Sequence, residues 1–197
     1  MDSLCKQYRY TTEQKRYAWA IVQAEKIAGM RENSGGEKQV FAGVLAEIVM
    51  CDLMGIERKT AEDYAVADNG IDFIIGGKKI DLKILLSSAS WKPYYSNNII
   101  AQQLDFAMNQ TEIYLFAVIN PTLGTIQFNG WIKKIDIKQS WKHRKGTSRP
   151  RGKSEPLILL MDTYEIYQDH LKAFNPLVFA SDMEMFDLTM AKERLYN

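Results

Sequence analysis

Two cysteines and two histidines in 197 residues leave little from which to build thiolate, disulfide or zinc chemistry. Cys5 and Cys51 lie far apart, too few for a disulfide framework, a zinc ribbon or a CxxC redox pair. His143 and His170 stand alone, without HxxxH spacing or a cysteine partner, so zinc hydrolysis lacks its ligands. No GxSxG occurs, and no GK[ST] follows Gly35-Gly36, which excludes a nucleophile elbow and a P-loop. No apolar run approaches the roughly 20 residues of a membrane helix. The polar start MDSLCKQYRYTTEQKR has no apolar h-region, so it does not read as a signal peptide. Excess charge is missing too: 25 Lys and Arg against 24 Asp and Glu give a formal net charge of +1.

What is there suits a packed core. Hydrophobic residues make up 46% and aromatics 11%, which excludes global disorder. Nine methionines read as core fillers. The length fits one substantial domain, expected over 1–197 in a cytoplasmic, intracellular protein. The charge, however, is unevenly spread. From Lys133 to Lys153 there are nine Lys or Arg and one acid, Asp136, leaving 16 basic and 23 acidic residues elsewhere. A segment at +8 beside a body at −7 says more about partners than their near-neutral sum.

Hydrophobic periodicity predicts helices over Thr12–Met30 and Lys38–Met54, the second apolar on most sides and stopped by Gly55. The period then changes to two. A weak strand is expected at Asp63–Ala67, and stronger ones at Ile71–Ile75 and Lys79–Leu86, joined by Gly76-Gly77. Ser87–Ser96 reads as a loop, Ile99–Asn109 as a helix, and Glu112–Ile119 and Thr125–Lys133 as strands. The basic segment 133–153 is expected to be mostly loop, Leu157–Met161 a strand, and the tail from Tyr164 short helical patches. The core would span about 38–133, with a C-terminal extension over 154–197.

The hairpin is the segment richest in chemistry. A two-residue turn at Gly76-Gly77 would set Asp72 opposite Asp81, on the strand face that also carries Lys83. Facing carboxylates about 4.5–5.5 Å apart at Cβ repel unless one is protonated or a cation intervenes. A hard divalent ion such as Mg²⁺ resolves the conflict. The alternative is a solvated strand face with Lys83 paired to the nearer aspartate. Glu47 is the one carboxylate in the apolar run Phe41–Cys51, and a buried Glu is costly without a partner. It either points at the same cluster or pairs with a lysine at a wet edge.

A helix with Gly43-xxx-Glu47, then Asp72, then Asp81-Leu82-Lys83 resembles the PD-(D/E)XK nuclease superfamily, also called restriction-endonuclease-like. The resemblance covers the central part of the chain, roughly Lys38 to Ile119; Ile71 stands where the family's name pattern has proline. It implies an α/β fold with an αβββαβ core, a mixed sheet flanked by helices, and metal-dependent phosphodiester hydrolysis. Asp72 and Asp81 would ligate Mg²⁺, with Mn²⁺ as a substitute, assisted by the Leu82 carbonyl and by Glu47 as an outer contact. Lys83 would stabilise or orient the attacking water.

The basic segment complements that reading. Lys142, Arg144, Lys145, Arg149, Arg151 and Lys153, with Trp141 among them, could follow a DNA backbone, RNA being a second candidate. Trp141 would either stack on a base or anchor the segment in the core. Gln102 and Gln103 read as solvated helix residues that could line the cleft. The competing functions are a non-catalytic nucleic-acid-binding module of the same fold and an interaction protein whose opposed charges drive self-association, for instance as a homodimer. A role in restriction, repair, a phage or a mobile element is compatible with each nuclease reading.

Overall fold

The protein is represented by a computed structural model that describes residues 6–28, 36–65, 70–89, 92, 95–105, 109–151 and 154–184. Its first helix starts on a reciprocal cap. Thr11 Oγ1 accepts the Gln14 amide at 3.1 Å and Gln14 Oε1 accepts the Thr11 amide at 2.7 Å, which satisfies two donors that helix geometry leaves orphaned. Helix α1 then runs over Thr12–Ala28 and α2 over Glu37–Met54. Gly55, at φ 65°, ends α2 by donating to the Cys51 carbonyl. Gln14 and Arg58 both bond the Asp52 carboxylate, at 2.6 and 2.7 Å, tying α1 to the end of α2.

Strands β1 (Lys6–Arg9), β2 (Phe73–Ile75), β3 (Lys78–Leu86), β5 (Ile113–Asn120) and β6 (Thr125–Lys133) form a five-stranded sheet in the order β1-β6-β5-β3-β2. Only β3 and β5 pair in parallel, so the sheet is mixed. Gly76 and Gly77 take φ 54° and 74°, the positive angles of a tight hairpin turn. The register that follows, Phe73 to Ile80 and Ile75 to Lys78, is the one the sequence predicts.

All eight residues of β5 are buried because both faces of the sheet are covered. One face packs on α1, α2 and a helix over 176–184, through Ile21, Leu45, Ile48, Ile80, Leu82, Phe128 and Phe179. The other carries Tyr114, Phe116 and Ile132, which pack against Ile99, Leu104, Tyr164 and Ile166. Those partners come from β4 (Ser96–Ile100), α4 (Ala101–Asp105) and β10 (Thr163–Tyr167). With β7 (Trp141–His143) they build a second sheet in the order β4-β10-β7. Among the described residues no helix is long and apolar enough to cross a membrane.

Several predicted elements change. The expected strand at Asp63–Ala67 begins instead as helix α3 (Ala61–Ala65), with 66 and 67 outside the described residues. The cause is a second reciprocal cap: Asp63 Oδ2 accepts the Thr60 amide at 2.6 Å and Thr60 Oγ1 accepts the Asp63 amide at 3.4 Å. The expected helix from Ile99 starts as β4, because Ile99 and Ile100 pair with Tyr164 and Thr163 in β10. That long-range partner also makes a strand, β10, of the start of the tail, while the short helical patches expected there appear at 168–170 and 176–184. The expected strand at Leu157–Met161 shifts to β9 (Ser154–Ile158), which pairs with β8 (Ser148–Arg151). The basic segment is therefore not mostly loop: α5 (Lys134–Ile137), β7 and β8 occupy much of it. The expected αβββαβ order is changed accordingly: helix α3 stands where its first strand was expected, and the strand that precedes α4, β4, lies in the second sheet.

The hairpin turn also seats the helix over 176–184. A Cβ added at Gly76 would lie 2.8 Å from Met183 Cβ and 2.9 Å from the Ala180 carbonyl, whereas one at Gly77 meets nothing within 4 Å. Gly77→Ala is expected to cost about 1 kcal/mol from its left-handed backbone alone. Gly76→Ala should cost roughly 1–3 kcal/mol more, because the packed helix must shift. Urea denaturation of both variants decides this; equal costs would mean that the helix does not rest on the turn.

Candidate functional site

Asp72 stands just before β2, where its amide donates to the Ile80 carbonyl at 2.8 Å. Its side chain then takes over from the backbone ladder: Asp72 Oδ2 accepts the Leu82 amide at 2.6 Å. Alternation along β3 sends Ile80 and Leu82 into the core under α2 and sends Asp81 and Lys83 to the opposite face. Asp81 is only 4% exposed there. It lies opposite Tyr114 of β5 and pairs with Lys83, whose Nζ is 2.7 Å from Oδ2 and 5.8 Å from the Tyr114 ring centre.

Glu47 approaches from α2. It is 8% exposed, and Lys59 Nζ lies 3.0 Å from its Oε2. The same ammonium sits over the rings of Tyr64 and Phe73, at 5.3 and 5.7 Å. The Tyr64 hydroxyl also hydrogen-bonds Glu47, and burial together with that carboxylate pushes its pKa up, so it stays a protonated donor. Cys51 is buried beside Glu47 and is pushed up to about 11 by burial first and then by that carboxylate, which leaves an unreactive thiol.

Two of these carboxylates, Glu47 and Asp81, act on a third, Asp72. Burial first, then Glu47 and Asp81, hold the Asp72 carboxyl well above its ordinary value, against the opposing pull of the Leu82 amide and Lys59. Desolvation lowers the Lys83 pKa, but Asp81 and Asp72 outweigh it and the net shift is upward. Both alternatives weighed for single residues are realised, since Lys83 pairs with Asp81 and Glu47 with a lysine. These ion pairs nevertheless surround Asp72. Among the described residues, no three His, Cys, Asp or Glu side chains stand in a metal-holding arrangement; the oxygens of Glu47 and Asp81 are turned to lysines. The donor set still suits a hard cation: Asp72, Asp81 and the Leu82 carbonyl offer oxygen only. The raised Asp72 reflects burial first and the neighbouring carboxylates second.

The site opens into a cleft of about 480 Å³ lined by Asp81, Lys83, Gln102, Gln103, Asn109 and Met161 among others. A second hollow of about 490 Å³ includes Asp105, Lys142, Lys145 and Asp162. The two share Ile100, Gln102 and Met161, so a trough leads from the acid–lysine pair to the cationic strand β7. Gln102 and Gln103, exposed helix residues as expected, both line the cleft.

Lys142, Arg144 and Lys145 are exposed. Lys142 lies 3.8 Å from Asp162 and 5.5 Å above the Tyr164 ring, and the Lys145 amide donates to Asp162 Oδ1 at 2.9 Å. Trp141 is 70% exposed, so it does not anchor the segment in the core. Arg149 and Arg151 lie on β8, with side chains outside the described set, and Lys153 lies outside the described residues. Sequence reasoning missed Lys59, Tyr64, Asn109 and Met161. The capping pattern Thr60-Ala-Glu-Asp63 was the signal that would have placed Tyr64 on a helix beside Glu47. No family model matches this chain, and neither the curated proteins nor the solved structures contain a match to it.

The raised Asp72 makes a prediction of definite sign. A carboxyl whose pKa is higher folded than unfolded binds its proton more tightly when folded, so stability falls as pH rises from the unfolded value toward the folded one. Asn at 72 keeps an oxygen for the Leu82 amide and removes the charge. In chelator, Asp72→Asn should melt above wild type at about pH 7–8, and the gap should close below about pH 4, where the unfolded carboxyl is also protonated. Thermal unfolding across that range is the measurement; a variant that melts below wild type at every pH refutes the charge cluster.

Proposed function

We propose that this chain is a Mg²⁺-dependent nuclease that hydrolyses phosphodiester bonds in DNA, on the restriction-endonuclease-like pattern its site residues resemble. One observation carries the reading: Glu47 and Asp81 both act on Asp72 at the hairpin, with Lys83 at the head of a trough whose far part holds Lys142 and Lys145 beside Asp105 and Asp162. An acid cluster next to a basic track is what phosphodiester cleavage requires, since the phosphate must be both attracted and hydrolysed.

Asp72, Asp81 and the Leu82 carbonyl would hold the ion, with Glu47 behind them. A divalent ion bound there polarises a phosphoryl oxygen and lowers the pKa of its water. Lys83 then turns from Asp81 to the scissile phosphate, where its ammonium meets the charge that builds on the phosphoryl oxygens. Lys59 stays on Glu47, whose charge it balances. The amides of Gln102, Gln103 and Asn109 suit hydrogen bonds to the sugar–phosphate chain. Lys142, Arg144 and Lys145 neutralise phosphates.

A second reading is favoured by the two ion pairs, Lys83–Asp81 and Lys59–Glu47. Acids already neutralised by lysines would suit a nucleic-acid-binding module that does not cut.

Incubation with plasmid, linear duplex and single-stranded DNA in Mg²⁺ or Mn²⁺ separates the two. Asp81→Ala should reduce cleavage to background, and Lys83→Ala should slow it by about 10²–10³-fold. Wild-type cleavage by Asp81→Ala would refute the site. Uncut DNA bound in a salt-sensitive manner would establish the binding module instead.

A further inference from the structure

Outside the acid cluster, one buried carboxylate has no part in the chemistry above. Glu165 is 2% exposed although it lies on the face of the small sheet turned away from the core. Its neighbours Tyr164 and Ile166 point inward, so alternation turns Glu165 outward together with Trp141, His143 and Ser96 of the paired strands. Both of its oxygens are engaged: Ser96 Oγ donates at 2.7 Å to Oε1, and His143 Nε2 lies 2.8 Å from Oε2. Because Ser96 bonds the carboxylate, which stands between it and His143, the trio does not match a hydrolytic triad. Such a triad requires the base on the nucleophile.

The carboxylate instead fixes the histidine ring, and the histidine braces Trp141. The two rings meet edge to face at 6.2 Å and 65°, while Trp141 remains 70% exposed. Lys142 turns to the opposite face, over the Tyr164 ring, while Arg144 and Lys145 follow in the turn after β7, both exposed. An exposed indole held by a neighbouring ring and followed by the cations Arg144 and Lys145 is complementary to a base with its phosphate. Duplex DNA hides its base faces within the stack and offers only edges in its grooves.

We infer that Trp141, braced by His143 and Glu165, is a stacking site for an unpaired base of single-stranded DNA, on the face of β7 opposite to the one from which Lys142 lines the trough. This rests on the nucleic-acid reading of the chain but not on its cleavage. The site favours substrates that carry a single-stranded stretch.

Fluorescence anisotropy of labelled (dT)20 and of a 20-base-pair duplex, in chelator, tests it without catalysis. Wild type should bind (dT)20 more tightly than duplex. Trp141→Ala should weaken (dT)20 binding by about 10-fold and leave duplex binding almost unchanged. Glu165→Gln should weaken (dT)20 binding less, by loosening the brace; circular dichroism checks that this buried change leaves the fold intact. Trp141 is exposed, so its replacement alone decides the matter if Glu165→Gln unfolds. Unchanged (dT)20 affinity in Trp141→Ala, equal losses on both DNAs, or no (dT)20 binding by wild type overturns the inference. A wild-type protein that binds (dT)20 through Trp141 but cuts nothing supports the stacking site while the catalytic reading fails.

Discussion

The Asp72 carboxylate, held on the Leu82 amide at 2.6 Å, is the contact around which the candidate site is arranged. Strand pairing ends where that side chain replaces the backbone, so the first acid of the hairpin is held at its mouth. From there Asp72 feels Asp81 on one side of the sheet and Glu47 on the other. Three carboxylates so placed require compensation, and the two lysines supply it. Lys83 comes from the same strand as Asp81, whereas Lys59 is brought to Glu47 by the chain that follows α2.

The two-sided sheet explains why this polar cluster lies deep. An antiparallel sheet with one solvated face would leave Asp81 and Lys83 in water. Here the second sheet and α4 cover that face, with Tyr114 and Phe116 beneath it, and the cleft remains where the covering ends. The same second sheet brings β7 alongside the cleft. Cations that are distant from Asp81 in sequence thereby become the far wall of one trough. A small sheet joined by residues from 96 to 167 thus does two things: it buries the acid face and aligns the basic segment with it.

Much of the central core was legible in the sequence. The helix ending at Gly55, the Gly76-Gly77 turn, the register of β2 on β3 and the bounds of β6 all follow from local chemistry: positive φ, a period of two and an apolar run. Other elements misled for a physical reason. Thr60 and Asp63 cap a short helix where alternation suggested a strand. Ile99 and Ile100, apolar at a helix start, became a strand because Tyr164 and Thr163 stood ready to pair with them. Short apolar runs are ambiguous between helix and strand, and the partner that decides lies outside any local window.

By itself the sequence determined which acids and lysine lie on the hairpin and on which side of β3 each points, because strand alternation and turn geometry are local rules. It also determined that the positive charge is concentrated near Trp141. Only the tertiary structure decided that Glu47 and Lys59 stand at the same acid cluster, that Trp141 is exposed and braced, and that the cationic strand shares a trough with Asp81. The place of β7 beside the cleft depends on β10 pairing with β7 across some twenty residues and with β4 across more than sixty. Pairing at that range is set by the burial of two whole faces, which no segment of the sequence carries alone.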